Sequence, residues 1–321
     1  MTSRKGIQMK KILLIIIVCF AVFKFSSCIN ESKNVTRQTF ALDTVVNITT
    51  NKKDSEKINE AFTLLREYEN VFSRTKPESK LSLLNNGQGE LTEDIEKVLS
   101  FSLEMSRLTD GAFDVTVAPL VDLWNVKERK APPTAVEIET AHSKTGYENV
   151  TLSPFSLGGK TIDTGAVAKG YIADKVAESF KDKGVESAVI DLGGNVVLLG
   201  EYKVGIRSPF NPDEIFATIT VKDKSAVTSG AYQRYFEYEG RRYHHMIDPR
   251  TGYPSEGGVA SVTVISPSSM QADALSTSIF ILGKDSISLC DNFPDTDALI
   301  IMESGEVITT ENFREKYELK K

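Results

Sequence analysis

The sequence predicts an α+β fold, a single compact unit of mixed, largely antiparallel sheets flanked by helices, in one lobe or two. Three observations carry this. Apolar residues alternate over many short stretches of about four to eight residues, the period and length of strands. Helical periods fall between them at irregular intervals instead of after every strand, which disfavours a doubly wound parallel sheet. No Pro- or Gly-rich linker divides residues 38–321, and no period of about 20 to 50 residues repeats.

The chain opens with Lys10 and Lys11 ahead of an apolar run that ends at Ser26, Ser27 and Cys28. A charged region, a short apolar core and small residues before a cleavage point describe a signal peptide. A bacterial lipobox would place cleavage before Cys28 and lipid on its thiol. A plain membrane anchor is the competing reading, but Lys24 cuts the run below the roughly 18 residues that spanning needs. The expected organisation is a signal at 1–27, a polar tether at 28–37 and a folded domain at 38–321. Such a chain is an exported lipoprotein, membrane-anchored and facing the periplasm or cell exterior.

Removing 27 residues from 321 leaves 294, enough for a substantial core. Cys19 leaves with the signal and Cys28 would carry lipid, so Cys290 alone remains and no internal disulfide is expected. The signal also removes five of the 38 basic residues and none of the 44 acidic ones; 33 against 44 gives the mature chain a formal charge of −11. That surface repels nucleic acid.

Residues 39–50 alternate as a strand. From 54 to 72, Ile58, Ala61, Phe62, Leu65, Tyr68 and Phe72 recur at three- and four-residue steps, an amphipathic helix. A second helix is expected at 92–108, with Thr92 as N-cap and Ile95, Val98 and Leu99 facing the core. Thr134 and Glu137 form a capping box that opens a third. The second half predicts strands at 188–192, 196–199, 215–222, 232–238 and 259–265, and helices at 166–183 and 269–282 closed by Gly184 and Gly283.

Common nucleophile and nucleotide signatures are absent: no GxSxG elbow, Walker A loop, CxxC or GxGxxG occurs. Four polar clusters remain. Residues 109–120 place Gly111 and Ala112 where a ligand could approach the backbone, with Phe113 able to cover a ring and Asp114 to accept hydrogen bonds. A helix end, a turn and a core Phe would give the same pattern. Residues 162–171 run a strand into a helix through Gly165. Exposed N–H groups at such a start attract phosphate, and Lys169 adds charge; a plain N-cap at Asp163 is the alternative. Residues 243–252 set His244 and His245 beside an Asp-Pro-x-x-Gly turn. Adjacent strand residues point to opposite faces, so at most one of the two histidines can look into a given site. Within 272–277, Asp273 and Thr277 share a helix face, a poor cage for a bare ion but suited to magnesium, which keeps waters and takes phosphate oxygens. An exposed Asp and a Thr bonded back to its own helix is the competing reading.

Taken together and in order, these clusters resemble the ApbE family of FAD:protein FMN transferases, over about residues 40–282. The matching elements are Ser79 and Asn85, residues 111–114 with Pro119 and Leu120, residues 163–170 with Asp174, residues 191–195, 228–230, 245–252 and 272–277. The resemblance implies FAD bound in a cleft, Mg²⁺ at its pyrophosphate, and attack by a threonine hydroxyl of an acceptor protein on the FMN phosphorus, with release of AMP. It assigns Asp273, Thr277 and the Ala166 carbonyl to the metal. Leu42, Ala112, Phe113, Asp114, Asp163, Lys169 and Ile247 are assigned to the flavin nucleotide, and His245, near its ordinary pKa of about 6.5, to the attacking proton. Acceptors would be subunits of membrane redox complexes or flavin-bearing reductase domains, near which lipid at Cys28 would concentrate the enzyme.

Two departures stand out. This chain reads Leu42, Asp43, Thr44 where the family often has Met-Gly-Thr, and Thr75 where it often has an aromatic residue, so one ring-stacking contact is missing. The same site could instead hydrolyse FAD to FMN and AMP, or hold flavin without catalysis.

Overall fold

The computed structural model describes residues 33–211 and 213–320. The expected signal peptide, Cys28 and the first part of the tether lie outside the described residues. Eight strands form one sheet in the spatial order Asn34–Ala41, Thr44–Asn51, Ala188–Asp191, Asn195–Leu199, Ser225–Gly230, Val259–Ser266, Asp297–Met302 and Val307–Thr309. Every neighbouring pair runs antiparallel. All eight residues of Val259–Ser266 are buried, Ser261, Thr263 and Ser266 among them, because this inner strand is covered on both faces.

Alternation sends successive residues of a strand to opposite sides. Ala298 and Ile300 join the large core under the helices, while Leu299 and Ile301 join a smaller core with Ile206, Ile219, Val221 and Phe313. The smaller core lies beneath a second hairpin, Glu201–Arg207 paired with Ile215–Lys222. Residues 33–320 nonetheless hold together as one unit, with no division into two lobes.

The helices are α1 (Lys57–Phe72), α2 (Lys80–Asn85), α3 (Glu93–Leu108), α4 (Ala118–Trp124), α5 (Ala135–His142), α6 (Ala168–Asp182), α7 (Ser269–Leu282) and α8 (Phe313–Lys316). Ile95, Val98 and Leu99 of α3 are fully buried as expected. Thr92 occupies the N-cap position but makes no capping hydrogen bond. The capping box of α5 is present in both directions. Helix α7 is buried all round; its Ala and Ser residues let it lie between α6 and the sheet. Its first turn is closed from α6 by Asp174, which accepts from Ser268 Oγ (2.7 Å), Ser269 N (2.7 Å) and Met270 N (3.0 Å).

Four expectations need correction. The strand expected at 39–50 is two strands: Ala41 pairs with Thr44, and Leu42 and Asp43 turn the chain with φ of 54° and 58°. Two consecutive left-handed residues make the hairpin turn whose twist suits its strands. A leucine there gave no turn signal. That hairpin begins at Asn34, so the ordered domain starts inside the segment expected as tether. The strand expected to lead into α6 is a loop, and α6 begins at Ala168, two residues after its expected start at Ala166. The strand expected at 232–238 is shortened to Tyr235–Tyr238.

Candidate active site

One cleft of about 560 Å³ opens where the first hairpin tip, the α3–α4 loop, the start of α6, α7 and the segment around His245 meet. Leu42, Ala112, Phe113, Asp114, Asp163, Ala166, Lys169, His245, Ile247, Asp273 and Thr277 all line it. Every site residue expected from the sequence, Cys28 apart, is therefore brought to one place.

Each wall is held by its own chemistry. Helix α3 ends at Thr109, and Asp110 and Gly111 take positive φ, which swings residues 112–114 into the cleft. Asp114 Oδ1 accepts from Thr116 N and Oγ1, both at 2.7 Å, and Oδ2 from Tyr147 N at 3.2 Å. Burial raises its pKa above the ordinary carboxylate value and these hydrogen bonds oppose the rise. Asp114 thus shapes its own loop as well as facing the cleft. The hairpin tip is seated by Leu42 N donating to Glu69 at 2.9 Å. Behind it, Gly193 packs on Thr44; a Cβ there would lie 2.0 Å from Thr44 Oγ1.

Asn85 clamps the loop before α6, donating to Ile162 O (2.9 Å) and accepting from Ile162 N (2.8 Å). That places Asp163 at the rim, where Oδ1 accepts from Gly165 N at 2.8 Å and Oδ2 from Arg74 Nε at 3.0 Å. Arg74 spans onward to Asp122 at 2.8 Å. The helix start offers fewer free N–H groups than the sequence implied. Ala168 N bonds to Thr164 O at 2.8 Å, and Gly170 N is given to Asp273 Oδ2 at 3.0 Å. The positive charge facing an anion here comes from Lys169, whose Nζ lies 3.8 Å from Asp273 Oδ1.

Asp273 is 4% exposed and reaches the cleft from the middle of α7. One turn on, Ser278 returns its hydroxyl to the Ala274 carbonyl and Ser276 to that of Asp273. The Thr277 hydroxyl makes no protein hydrogen bond among the described residues and lines the cleft, so the back-bonded alternative does not apply. A carboxylate, a free hydroxyl and the Ala166 backbone are hard oxygen donors too few to cage a dehydrated ion. They fit Mg²⁺, which retains waters and shares phosphate oxygens. No group of three or more His, Cys, Asp or Glu able to hold a metal occurs among the described residues.

The two histidines part, but His245 lies in a bend just past the strand Arg241–His244, so the turn of the chain there and not strand alternation separates them. His244 turns away, with Nε2 3.1 Å from Ser255 O, Nδ1 accepting from Met246 N at 3.3 Å and its ring edge-on to Phe280. His245 faces the cleft. Its Nδ1 lies 3.2 Å from the Arg234 carbonyl, which also accepts the His245 N–H at 3.1 Å. A carbonyl only accepts, so Nδ1 carries the proton and Nε2 is left as the acceptor. Burial pushes the imidazole down to about 4, not the ordinary value near 6.5 expected from sequence. His245 is consequently neutral at pH 7, with Nε2 open as an acceptor, while burial disfavours the imidazolium that protonation would form. A base of normal pKa would make kcat/KM rise with a midpoint near 6.5. Here the profile should be flat from about pH 6 to 8 with its acid limb near 4, and an inflection at 6.5 in the pH–rate curve would contradict the assignment.

Sequence reasoning missed Arg74, Gln233 and Arg234 and gave Asn195, inside the matching element 191–195, no role; all four are on the cleft wall. Asn195 follows the glycine pair 193–194 at the cleft wall, and its Nδ2 is buried with no hydrogen-bond partner among the described residues. Arg74 sits beside Thr75, the position already singled out, and could have been found from it. Thr75 does line the cleft, without an aromatic ring to stack.

The fold is that of solved ApbE proteins. The flavin transferase ApbE from Vibrio cholerae superposes with a TM-score of 0.78 at 26% identity, covering 88% of this chain and 98% of that one. The ApbE protein of Thermotoga maritima gives 0.76 at 32% identity, with 88% and 98% coverage. The family model described as "ApbE family" matches residues 42–300. The chain belongs to the ApbE family. Among curated relatives, the FAD:protein FMN transferase of Klebsiella pneumoniae (strain 342) is 33% identical over 79% of this chain and 85% of its own. That of Treponema pallidum (strain Nichols) is 36% identical over 78% of each.

Proposed function

We propose that this chain is an FAD:protein FMN transferase that moves FMN from FAD to a threonine hydroxyl of an acceptor protein. The observation that carries the reading is the convergence of residues from Leu42 to Thr277, remote in sequence, on one cleft. The threonine oxygen bonds to the FMN phosphorus, the bond from that phosphorus to the bridging oxygen breaks, and AMP leaves with that oxygen. The hydroxyl proton passes to His245 Nε2. Lys169 and Arg74 supply positive charge on the phosphate side. Phe113 and Ile247 give the ring system apolar walls. Phosphoryl transfer asks mainly for positioning and charge neutralisation. Asp273, Thr277 and the Ala166 carbonyl would hold Mg²⁺, which when bound neutralises pyrophosphate charge.

Incubation with FAD, Mg²⁺ and a candidate acceptor should yield a threonine carrying FMN, read by mass, together with AMP. Free FMN without adduct would identify a hydrolase instead. We further propose that Cys28 carries lipid and holds the enzyme near membrane acceptors, such as redox-complex subunits or reductase domains. Cys28→Ser should release the protein into the soluble fraction, and continued membrane association would refute the anchor.

A further inference from the structure

Asp43 stands at the hairpin tip with φ of 58°. That conformation is free for glycine and strained for a residue with a Cβ. Its side chain is 60% exposed, so packing does not explain it. Two cations from other walls of the cleft nevertheless converge on it. Lys127, from the segment after α4, pairs with Oδ2. Arg234, just before strand Tyr235–Tyr238, brings its NH2 to 3.4 Å from the same oxygen and 3.5 Å from the Asp43 carbonyl. All three line the cleft. The main-chain carbonyl of Arg234 is the group that orients His245, at 3.2 Å from Nδ1 and 3.1 Å from N.

We propose that Asp43 is a positioning residue: by holding the Arg234 side chain it fixes the Arg234 carbonyl, and through it the tautomer and direction of the His245 ring. The inference rests on the reading of His245 as the proton acceptor. Exposed ion pairs add little to stability, so the carboxylate acts on geometry, where small misplacements of a reacting group lower rate strongly. The backbone separates this from a structural role. Asp43→Gly relieves the positive φ and, were the residue only a turn former, would leave activity unchanged and stability equal or higher.

The test compares Asp43→Gly, Asp43→Asn and Arg234→Met with the double variant Asp43→Gly/Arg234→Met. The glycine variant should keep its Tm while kcat falls about tenfold and KM for FAD stays within about threefold. Asp43→Asn should fall between it and the parent. Arg234→Met should lose a similar factor, and the double variant should be no slower than the worse single one, because both cut one link. Nitrogen-15 spectra of labelled histidine give a readout independent of turnover. The parent His245 should show one tautomer with the proton on Nδ1, and Asp43→Gly a mixture of two. An unaltered His245 spectrum in Asp43→Gly overturns the proposal whatever the rate, as does a change in KM alone or additive losses in the double variant. If the parent transfers no FMN, the reading of function fails, and the spectra still decide whether Asp43 sets the ring.

Discussion

Asp273→Asn should abolish Mg²⁺-dependent FMN transfer, lowering the rate by about 10³-fold or more, while the protein stays folded. The carboxylate does two jobs that this change separates. One oxygen accepts the Gly170 N–H at 3.0 Å, and the other lies 3.8 Å from Lys169 Nζ, toward the cleft. Asparagine can keep accepting from Gly170 through its amide oxygen but carries no charge for a cation. Metal-ion stabilisation in phosphoryl transfer is worth several kcal/mol, and each 1.4 kcal/mol or so is tenfold in rate. Asp273→Ala would be less clean. It leaves the Gly170 N–H buried without a partner, at a cost of about 1–3 kcal/mol, so lost activity would be mixed with lost stability. Activity of Asp273→Asn within tenfold of the parent in an FMN-transfer assay would remove Asp273 from the mechanism.

The second large effect concerns the same contact from its other side. Gly170→Ala should destabilise the fold by about 3 kcal/mol or more and lower Tm by roughly 6–12 °C. A Cβ on residue 170 would lie 2.3 Å from Ser269 O, 2.6 Å from its carbonyl carbon and 2.7 Å from Met270 Cα. These are backbone atoms at the capped start of α7, where Asp174 of α6 already fixes three groups, so neither helix can yield without breaking that cap. Separating α6 from α7 also withdraws Gly170 N from Asp273 and shifts Lys169. Transfer should therefore fall even below the melting transition. A thermal melt within 2 °C of the parent would show that the two helices are not in the close contact described.

How much of this was legible in the sequence depended on whether the signal was local. Helix α7 could be read to the residue because Ser269 follows a serine cap and Gly283 ends it with φ of 90°. The buried face of α3 followed from its period. The hairpin at Leu42 and Asp43 could not be read, since Leu42 adopts a left-handed conformation that only its surroundings enforce. Helices α2 and α4 are too short for a period to show, and the strand Asp297–Met302 is apolar from Ala298 onward because both faces are covered, so it shows no alternation. The candidate site followed from the ordered motifs, not from their spacing, because its parts come from distant segments. Its electrostatics were invisible: nothing local says that burial drives His245 to about 4, or that the α6 N–H groups are already engaged. Arg74 and Arg234 lie outside those motifs and act through the carboxylates of Asp163, Asp122 and Asp43, partners that only the folded chain supplies.

The claim on which the rest depends is that Asp273 and Thr277 hold one divalent cation together with the dinucleotide. Electron paramagnetic resonance of Mn²⁺, used as a stand-in for Mg²⁺, can count that ion directly during a titration in the presence of FAD. The account predicts one bound Mn²⁺ per parent chain, and its loss in Asp273→Asn with FAD still bound. Equal Mn²⁺ affinity in the two proteins would contradict it.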